Sequence, residues 1–300
     1  MKFHPKLRLM ARLLLLTALF ATGCAAVAPP PSRMPDAASA IARLRATGEC
    51  EVALKAKAKI DHFSDHGRIR GDIYMFAAVP ARLRIDAISP FGVALATLTS
   101  DGTSFALADL RAKRFYVGPA SACNIARLTT VPLPGHVLVD LLRGQAPVLR
   151  HDAVGTVSWS PNGYYVITIQ GTRDSSEELH LVPRPEDHDK PWDQQHLRLL
   201  DVLVWQKGVL LYHATLGDHH VVPMSTPLVD STGLEATIPT SGPTCEAEAP
   251  RRIHVEVPAL GEDVIFRYDE ITWNPPLPDG TFVQAPRDGL PTTPVTCEEP

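Results

Sequence analysis

The sequence predicts a mainly β (α+β) fold: a curved, incomplete antiparallel β-barrel of about ten strands with helices covering the concave face. Three observations support this prediction. Apolar and charged residues alternate with a period of two between residues 50 and 87. Tight-turn pairs such as Asn162-Gly163 separate further segments of this kind. Two segments with helical spacing interrupt the series in mid-chain. An apolar helix needs an apolar surface, which a one-sided sheet supplies.

Residues 1–23 predict a lipoprotein signal peptide. Four basic residues precede a short apolar run at 13–20, and small residues then lead to Cys24. The run is too short to span a bilayer, for which about 20 residues are needed. A Cys in this position is where a bacterial lipoprotein is cut and acylated. The basic residues are Lys2, Lys6, Arg8 and Arg12.

The alternative to lipidation of Cys24 is that ordinary signal peptidase cleaves after Gly23 and leaves an unmodified cysteine. Cysteine parity favours lipidation, because the chain has five Cys and removal of Cys24 leaves an even set for an oxidising compartment. Ala25 is not the acidic residue that retains lipoproteins at the inner membrane. We therefore expect a lipid-anchored protein of the outer membrane that faces the periplasm.

The remaining chain predicts an acylated, proline-rich tether at 24–35 and one domain at 36–300. The tether is expected to stay extended between lipid and domain. Asp36 is a candidate N-cap for a helix at 37–46, which Gly48 would end. From residue 50 the alternation predicts three successive strands with one apolar and one charged face.

Further strands and helices follow the same rules. Hairpins are predicted around Ser100-Asp101-Gly102, Asn162-Gly163 and Lys207-Gly208. Helical spacing predicts helices at 122–128 and 136–143. Polar, proline-bearing stretches predict loop insertions at 183–195 and 226–250, and a last paired strand at 264–273 precedes a proline-rich tail.

No pattern of catalytic residues was found, so the chain is predicted not to be an enzyme and to need no cofactor. The sequence lacks GxSxG, GxGxxG, HExxH and CxxC motifs. His62 and His66 could suggest a metal, but the flanking pattern places them at a hairpin turn, and no metal site is predicted. His219-His220 is likewise interpreted as a turn. The formal net charge of −4 gives no sign of a nucleic-acid partner.

The four cysteines of the domain are interpreted as disulfide pairs. Cys50 lies on the apolar face of the first strand, and Cys123 lies in the helical insertion expected to pack there. This favours Cys50–Cys123 and Cys245–Cys297, one of three possible connectivities. Free buried cysteines, above all Cys50, are the alternative.

Several short motifs resemble the family of lipoprotein-localisation factors, the receptor LolB and the soluble carrier LolA. The segment Ile88-Ser89-Pro90-Phe91-Gly92, then residues 124–128 and 132–134 before an apolar helix, resemble LolB. Residues 273–282 resemble the end of LolA. The resemblance covers residues 36–170 and the closing stretch. It implies a LolA/LolB-like incomplete barrel with helices as a lid over a cavity for acyl chains.

The resemblance also implies site residues. The turn 89–92 would project Phe91 into the membrane, unless Phe91 begins the next strand as a core residue. Strand parity then assigns ten residues to a hydrophobic-ligand cavity, each of which could instead be an ordinary core position. They are Val52, Leu54, Ile69, Ile73, Met75, Leu83, Ile85, Leu95, Phe105 and Leu107.

The resulting hypothesis is a periplasmic lipoprotein that binds lipoprotein acyl chains or another amphiphile and assists their delivery to the membrane. Its expected partners are such acyl chains, the membrane through the anchor, and a LolA-like carrier, and the protein is expected to be a monomer. Two alternatives remain open: a structural or interaction lipoprotein with a closed core, and a lipid-responsive sensor of envelope stress. A hydrolase is the interpretation that the sequence supports least.

Overall fold

The chain folds into one open sheet of fourteen strands. The computed structural model describes residues 26–65, 67–151, 153–229 and 237–297. The strand order is β14-β6-β5-β4-β3-β2-β1-β13-β12-β11-β10-β9-β8-β7, antiparallel throughout except for β14 beside β6. The strands are β1 Ala53–Ser64, β2 Gly67–Ala78, β3 Arg82–Ile88, β4 Ala94–Ser100, β5 Ser104–Asp109, β6 Arg114–Pro119, β7 Ala153–Trp159, β8 Tyr165–Gln170, β9 Ser175–Pro183, β10 Leu197–Gln206, β11 Val209–Val221, β12 Glu248–Val257, β13 Glu262–Trp273 and β14 Thr292–Pro294.

The predicted count of about ten strands is too low, because three strands escape the alternation pattern. β9 begins with Ser175-Ser176-Glu177-Glu178, and β12 begins with Glu248 and contains Pro250. β14 has only three residues and forms from the proline-rich tail. The mainly β class and the open, one-sided sheet agree with the prediction.

In the part of the chain that the structure describes, three helices cover the apolar face of the sheet. They are α1 Ala37–Thr47, α2 Ala122–Thr129 and α3 Gly135–Leu142. The Ser39 amide donates to the Asp36 carboxylate at 2.7 Å, which confirms Asp36 as the N-cap of α1. Helix α1 contacts β7, β8 and β10, whereas α3 contacts β2 and β3, and α2 contacts β4. We call the face that they cover the concave face.

The pairing of β1 with β13 joins two halves of the sheet that are distant in sequence. Ten residue pairs align along it, from Leu54 opposite Trp273 to Phe63 opposite Asp263. Asn274 lies at its end with a fully buried side chain. Its Oδ1 accepts from the Val52 and Ala53 amides at 3.1 Å each, and its Nδ2 donates to two carbonyls at 2.8 Å each. Asn274 therefore fixes the start of β1 against the end of β13.

The disulfides differ from the predicted pairing. The bonds are Cys50–Cys245 and Cys123–Cys297, so the predicted Cys50–Cys123 and Cys245–Cys297 pairs are wrong. Cys50 lies at the start of β1, next to the loop before β12, and not beneath the helical insertion. Cys123 in α2 instead holds the end of the tail. The two bonds close stretches of 195 and 174 residues.

The tail crosses the convex face as a strap, which we define as residues 277–297. Phe282 packs against Ala53 and Ala78, the outward residues of β1 and β2. The Gln284 amide donates to the carbonyls of Thr97 and Ala106 at 2.8 and 3.0 Å. The strap ends as β14 on the edge strand β6, which it covers.

The segment predicted as a free tether lies in part against the domain. The Val27 carbonyl accepts from the Trp159 indole at 2.9 Å, and Ser32 accepts from the Trp192 amide at 3.0 Å. Trp192 belongs to the insertion at 183–195, which contains two short 3₁₀ turns.

Cys24 and the signal peptide lie outside the described residues, as does part of the insertion predicted at 226–250. His66 also lies outside them, and His219-His220 lies within β11, so the predicted turn there is wrong.

Two carboxyl groups are buried beneath the helices. Burial raises the pKa of Glu51 to about 7. It does so although Arg143 donates to the Glu51 backbone carbonyl and Gln145 donates to its carboxylate. Burial also raises the pKa of Glu177 to about 7. Its Oε2 accepts from the Leu149 amide at 2.8 Å, whereas Oε1 has no hydrogen-bond partner among the described residues.

Replacing Asn274 by Ala should destabilise the domain strongly. The change removes four hydrogen bonds to buried or partly buried backbone groups, and each group left unsatisfied costs about 1–3 kcal/mol. We expect a loss of about 3–5 kcal/mol in the free energy of unfolding, measured by urea denaturation. Asn162→Ala in the exposed β7–β8 turn is the matched control and should change it by less than about 0.5 kcal/mol. A similar effect of both substitutions would contradict the role of Asn274.

Glu177→Gln should stabilise the protein at alkaline pH. The folded-state pKa of about 7 lies above the unfolded value, so the contribution of Glu177 to stability falls as pH rises through that interval. A neutral amide removes this loss. We expect a gain of about 1–2 kcal/mol at pH 8 and almost none at pH 5. Urea denaturation at both pH values measures it, and a gain of equal size at pH 5 would refute the assignment.

Candidate functional site

A cavity of about 460 Å³ opens on the concave face, between β1–β5 and the end of α2. Its volume falls within the range of about 300–1,000 Å³ that is typical of small-molecule sites. The floor comes from inward residues of the first four strands and β13, and the roof comes from residues 127–130. Most of the floor is aliphatic or aromatic: Ile60, Ile69, Ile73, Ile85, Ile88, Leu95 and Phe266, with Leu128 above.

The structure places four of the ten residues predicted for the cavity in its lining and six elsewhere. Four of them, Ile69, Ile73, Ile85 and Leu95, line it. Val52 is half-buried beside Asn274, outside the cavity. The other five are buried within the packed core: Leu54, Met75, Leu83, Phe105 and Leu107.

Helix position explains why one end of the concave face is open and the other closed. Helix α3 packs over β2 and β3 with Leu138, Leu141 and Leu142 buried against them. Helix α2 ends at Thr129, and Thr130 follows in the left-handed region with φ of 62°. The chain then turns back towards α3, so no helix of the described residues covers the ends of β1 and β3 and the starts of β2 and β4.

Charged side chains surround the opening of the cavity. Arg111, Arg127 and Asp109 contribute to the lining. Arg70 and Asp72 also border it, but their side chains pair with Asp61 and Lys59 on the other face of the sheet. Asp109 accepts from the amides of Arg111 and Ala112, both at 2.9 Å, which shapes the β5–β6 turn. An apolar interior with a basic, polar opening matches an amphiphile whose tail is buried and whose head stays near water.

His62 is the polar group inside the cavity that the sequence analysis assigned to a turn. It lies within β1 opposite Ile69 and Val264, and its side chain is buried. Its Nε2 pairs with the Glu262 carboxylate. The Nδ1 atom is buried without a hydrogen-bond partner among the described residues. His62 therefore fixes the end of β13 against β1, next to the cavity.

The turn that carries Phe91 lies directly beside the opening. The Gly92 amide donates to the Ser89 carbonyl at 2.9 Å, and Gly92 has a φ of 79°, which favours glycine. Pro90 lines the cavity, whereas the next side chain, Phe91, is 93% exposed. Phe91 is thus not a core residue of the following strand.

Other apolar side chains are exposed at the same end of the strands. We call this end the rim; antiparallel order brings the β1–β2, β3–β4, β5–β6 and β12–β13 turns to it. Besides Phe91, its exposed residues are Ile69, Val93, Leu110 and Leu260. These positions are scattered in sequence, so only the strand order reveals that they share one end of the sheet.

Comparisons with known proteins give likenesses of fold. No family model matches the chain, and no curated protein matches it. A LolA superfamily protein from Nitrosomonas europaea is 13% identical, with a TM-score of 0.47 over 83% of this chain and 98% of that one. A protein domain from Vibrio parahaemolyticus, described as an outer membrane lipoprotein-sorting domain, is 10% identical with a TM-score of 0.45, over 81% of this chain and 94% of that one.

A third solved structure is a DUF1329 family protein from Desulfovibrio piger. It is 10% identical with a TM-score of 0.49, over 81% of this chain and 93% of that one. Among the residues that the structure describes, no helix has both the length and the apolar character needed to cross a membrane.

Replacing either of two alanines on the concave face by leucine tests whether the cavity is open. Ala87 lines the cavity, whereas Ala77 is fully buried at the closed end. Ala87→Leu should change the free energy of unfolding by less than about 0.5 kcal/mol, since the added carbons enter empty space. Ala77→Leu should cost about 1–3 kcal/mol through overpacking. Urea denaturation of both variants measures this, and an equal loss for both would mean that the concave face is filled throughout.

Proposed function

We propose that the protein is a lipid-handling receptor of the cell envelope. It takes an acyl chain of a lipoprotein, or of another amphiphile, into the cavity and assists its delivery to the membrane. The observation that carries the proposal is the position of the cavity: its apolar interior opens at the rim, beside the exposed Phe91. The function involves binding and transfer, without chemical change of the cargo.

The cavity supplies the affinity for the acyl chain. Each methylene that leaves water contributes about 0.8 kcal/mol. Ile73, Ile85 and Phe266 form the deep part of the cavity, and all three are buried. Cargo that moves between the cavity and a bilayer avoids contact of its tail with water, so the bilayer can take it from the protein.

The charged opening supplies the contacts for the head of the cargo. Arg111 and Arg127 contribute basic groups to the lining where a tail enters. Arg127 lies over the Tyr116 ring at 5.4 Å, whereas the Arg70 guanidinium pairs with Asp61 on the other face of the sheet. A guanidinium donates several hydrogen bonds to ester, phosphate or carboxylate oxygens. This arrangement favours a cargo with an acceptor-rich head.

Phe91 provides the membrane contact in this proposal. An exposed aromatic ring at the tip of a rigid turn inserts readily into the interfacial region of a bilayer. Val93 is 60% exposed in the same turn and adds apolar area. Because Pro90 lines the cavity, insertion of this turn would bring the opening to the bilayer surface.

The anchor constrains the motion of the domain. We infer that Cys24 is acylated and holds the protein at the periplasmic face of the outer membrane, where it receives cargo from a LolA-like carrier. Val27 contacts Trp159, beside a turn at the opposite end of the strands from Phe91. Residues 26–35 would therefore leave their contacts when the rim meets the bilayer. Ten extended residues span about 35 Å, close to the length of twelve-residue β1 at about 3.3 Å per residue.

Binding of an acyl probe is expected to depend on the open cavity. We would titrate residues 26–300, with both disulfides intact, with an environment-sensitive fluorescent fatty acid. Ala87→Trp fills the cavity and should weaken binding at least about tenfold, equivalent to about 1.4 kcal/mol. Val283→Trp, on the exposed strap, is the matched control and should leave binding unchanged. A lipoprotein-derived acyl peptide should displace the probe.

Failure of the folded wild-type domain to bind the probe would support the closed-core interaction lipoprotein instead. Equal binding by the wild type and Ala87→Trp would place the acyl chain outside the cavity. Circular dichroism spectra of all three proteins show whether the comparison is made between folded chains.

Transfer should depend on Phe91 separately from binding. Phe91→Glu replaces the inserted ring by a charge and should slow probe transfer to anionic phospholipid vesicles at least about tenfold, while the dissociation constant stays unchanged. Val283→Glu makes the same type of change on the strap and should leave transfer at the wild-type rate. A normal transfer rate for Phe91→Glu, measured by stopped-flow fluorescence, would refute the membrane role of this turn.

A further inference from the structure

A row of imidazoles and carboxylates crosses the convex face of β9–β13. Strand pairing places His213 opposite Glu256, and Glu256 opposite Asp263. His254 lies two residues before Glu256 on the same face of β12. Asp201 on β10 continues the row towards β9. These residues are distant in the chain, and no sequence motif connects them.

The best-formed part of the row lies on β11, β12 and β13. Ligand atoms of His254, Glu256 and Asp263 all lie within 4.8 Å of one another. The His254 Nε2 is 2.7 Å from an Asp263 oxygen, and the His213 Nδ1 is 3.3 Å from a Glu256 oxygen. One imidazole and two carboxylates thus converge on one surface position, and a second imidazole, His213, adjoins it through Glu256.

A second layer of contacts orients His213. Its Nε2 lies 2.9 Å from Asp201 Oδ1, and the Thr215 hydroxyl donates to the same oxygen at 3.1 Å. A carboxylate that accepts the Nε2 proton leaves the Nδ1 lone pair of a neutral imidazole directed at Glu256. A second proton on the imidazole or a bound metal ion satisfies the contact between this lone pair and the carboxylate. Metal-binding histidines commonly have this carboxylate contact on the other ring nitrogen.

We propose that His213, His254, Glu256 and Asp263 form a binding site for a divalent transition-metal ion of the zinc class. Imidazole nitrogen and carboxylate oxygen ligands suit Zn²⁺, which takes four of them at about 2.0–2.2 Å in structural sites. All four side chains are partly exposed, so the ion can enter from solvent. Asp201 is the positioning residue for His213.

Such an ion would cross-link three neighbouring strands near the rim. Asp263 is next to Glu262, whose carboxylate holds His62 beside the cavity on the opposite face of the sheet. The metal would therefore stabilise the β12–β13 end at which the cavity opens. This role is independent of whether the cavity takes an acyl chain.

The test is isothermal titration of the untagged full chain in non-ionic detergent, after removal of metals with EDTA, with ZnCl₂. We expect one equivalent bound with a micromolar or lower dissociation constant, and no binding of MgCl₂. His254→Gln and Glu256→Gln should each weaken Zn²⁺ binding at least about tenfold, and Asp201→Asn by about 10–100-fold. His220→Gln is the matched control, since His220 lies on β11 with an acidic neighbour outside the cluster, and should bind as the wild type does.

A Co²⁺ absorption spectrum gives a readout on the unmodified protein. Intense visible bands typical of four-coordinate nitrogen and oxygen ligation would support the site even where a variant fails to fold. Absence of saturable Zn²⁺ binding would overturn the proposal and leave the row as histidines hydrogen-bonded to carboxylates. So would Zn²⁺ binding that survives both His254→Gln and Glu256→Gln with these variants folded.

Discussion

The pairing of β1 with β13 is the contact on which the rest of the structure depends. The strands from β1 to β6 follow one another through short turns, and those from β7 to β11 do so apart from the insertion between β9 and β10. Only β1 and β13, about 200 residues apart, join these two series into one sheet. Closing so long a stretch costs chain entropy, which the ladder, Asn274 and the Cys50–Cys245 bond together offset. Asn274 satisfies the buried Ala53 amide and binds three further, partly buried backbone groups at this junction.

The one-sided character of the joined sheet then determines where helices must lie. Fourteen strands present a large apolar face, and this face can be buried only against other elements of the chain. Helix α1 covers the second series, and α3 covers β2 and β3. Helix α2 is short and ends above β4, so among the described residues only 127–130 roof the inward side chains near the rim. The cavity is a consequence of this incomplete cover, while Leu83 and Met75, beneath the helices, are packed.

Local sequence patterns were sufficient to predict the strands, caps and turns that depend on neighbouring residues in the chain. The alternation in β1, β2 and β3, the Asp36 cap and the Gly-containing turns all predict what the structure contains. Three strands were missed, since the polar starts of β9 and β12 and the proline-rich sequence of β14 hide their pairing. Pairing of the cysteines depends on which strands meet across some 190 residues, and periodicity holds no such information. For the same reason strand parity assigned Leu95 and Leu107 alike to the cavity, although only Leu95 lines it.

An apolar cavity of this size is costly for a domain of ordinary stability. At about 24 cal/mol per Å³, an empty space of 460 Å³ would cost about 11 kcal/mol, which is as large as the whole stability of a typical domain. The protein reduces this cost by opening the space to solvent at the rim and by placing arginines where water and apolar residues meet. An occupant with an apolar tail and a polar head removes the remaining cost, since the tail replaces water against Ile73 and Ile85. The features that make the cavity tolerable in the free protein are therefore those that would select an amphiphile as its ligand.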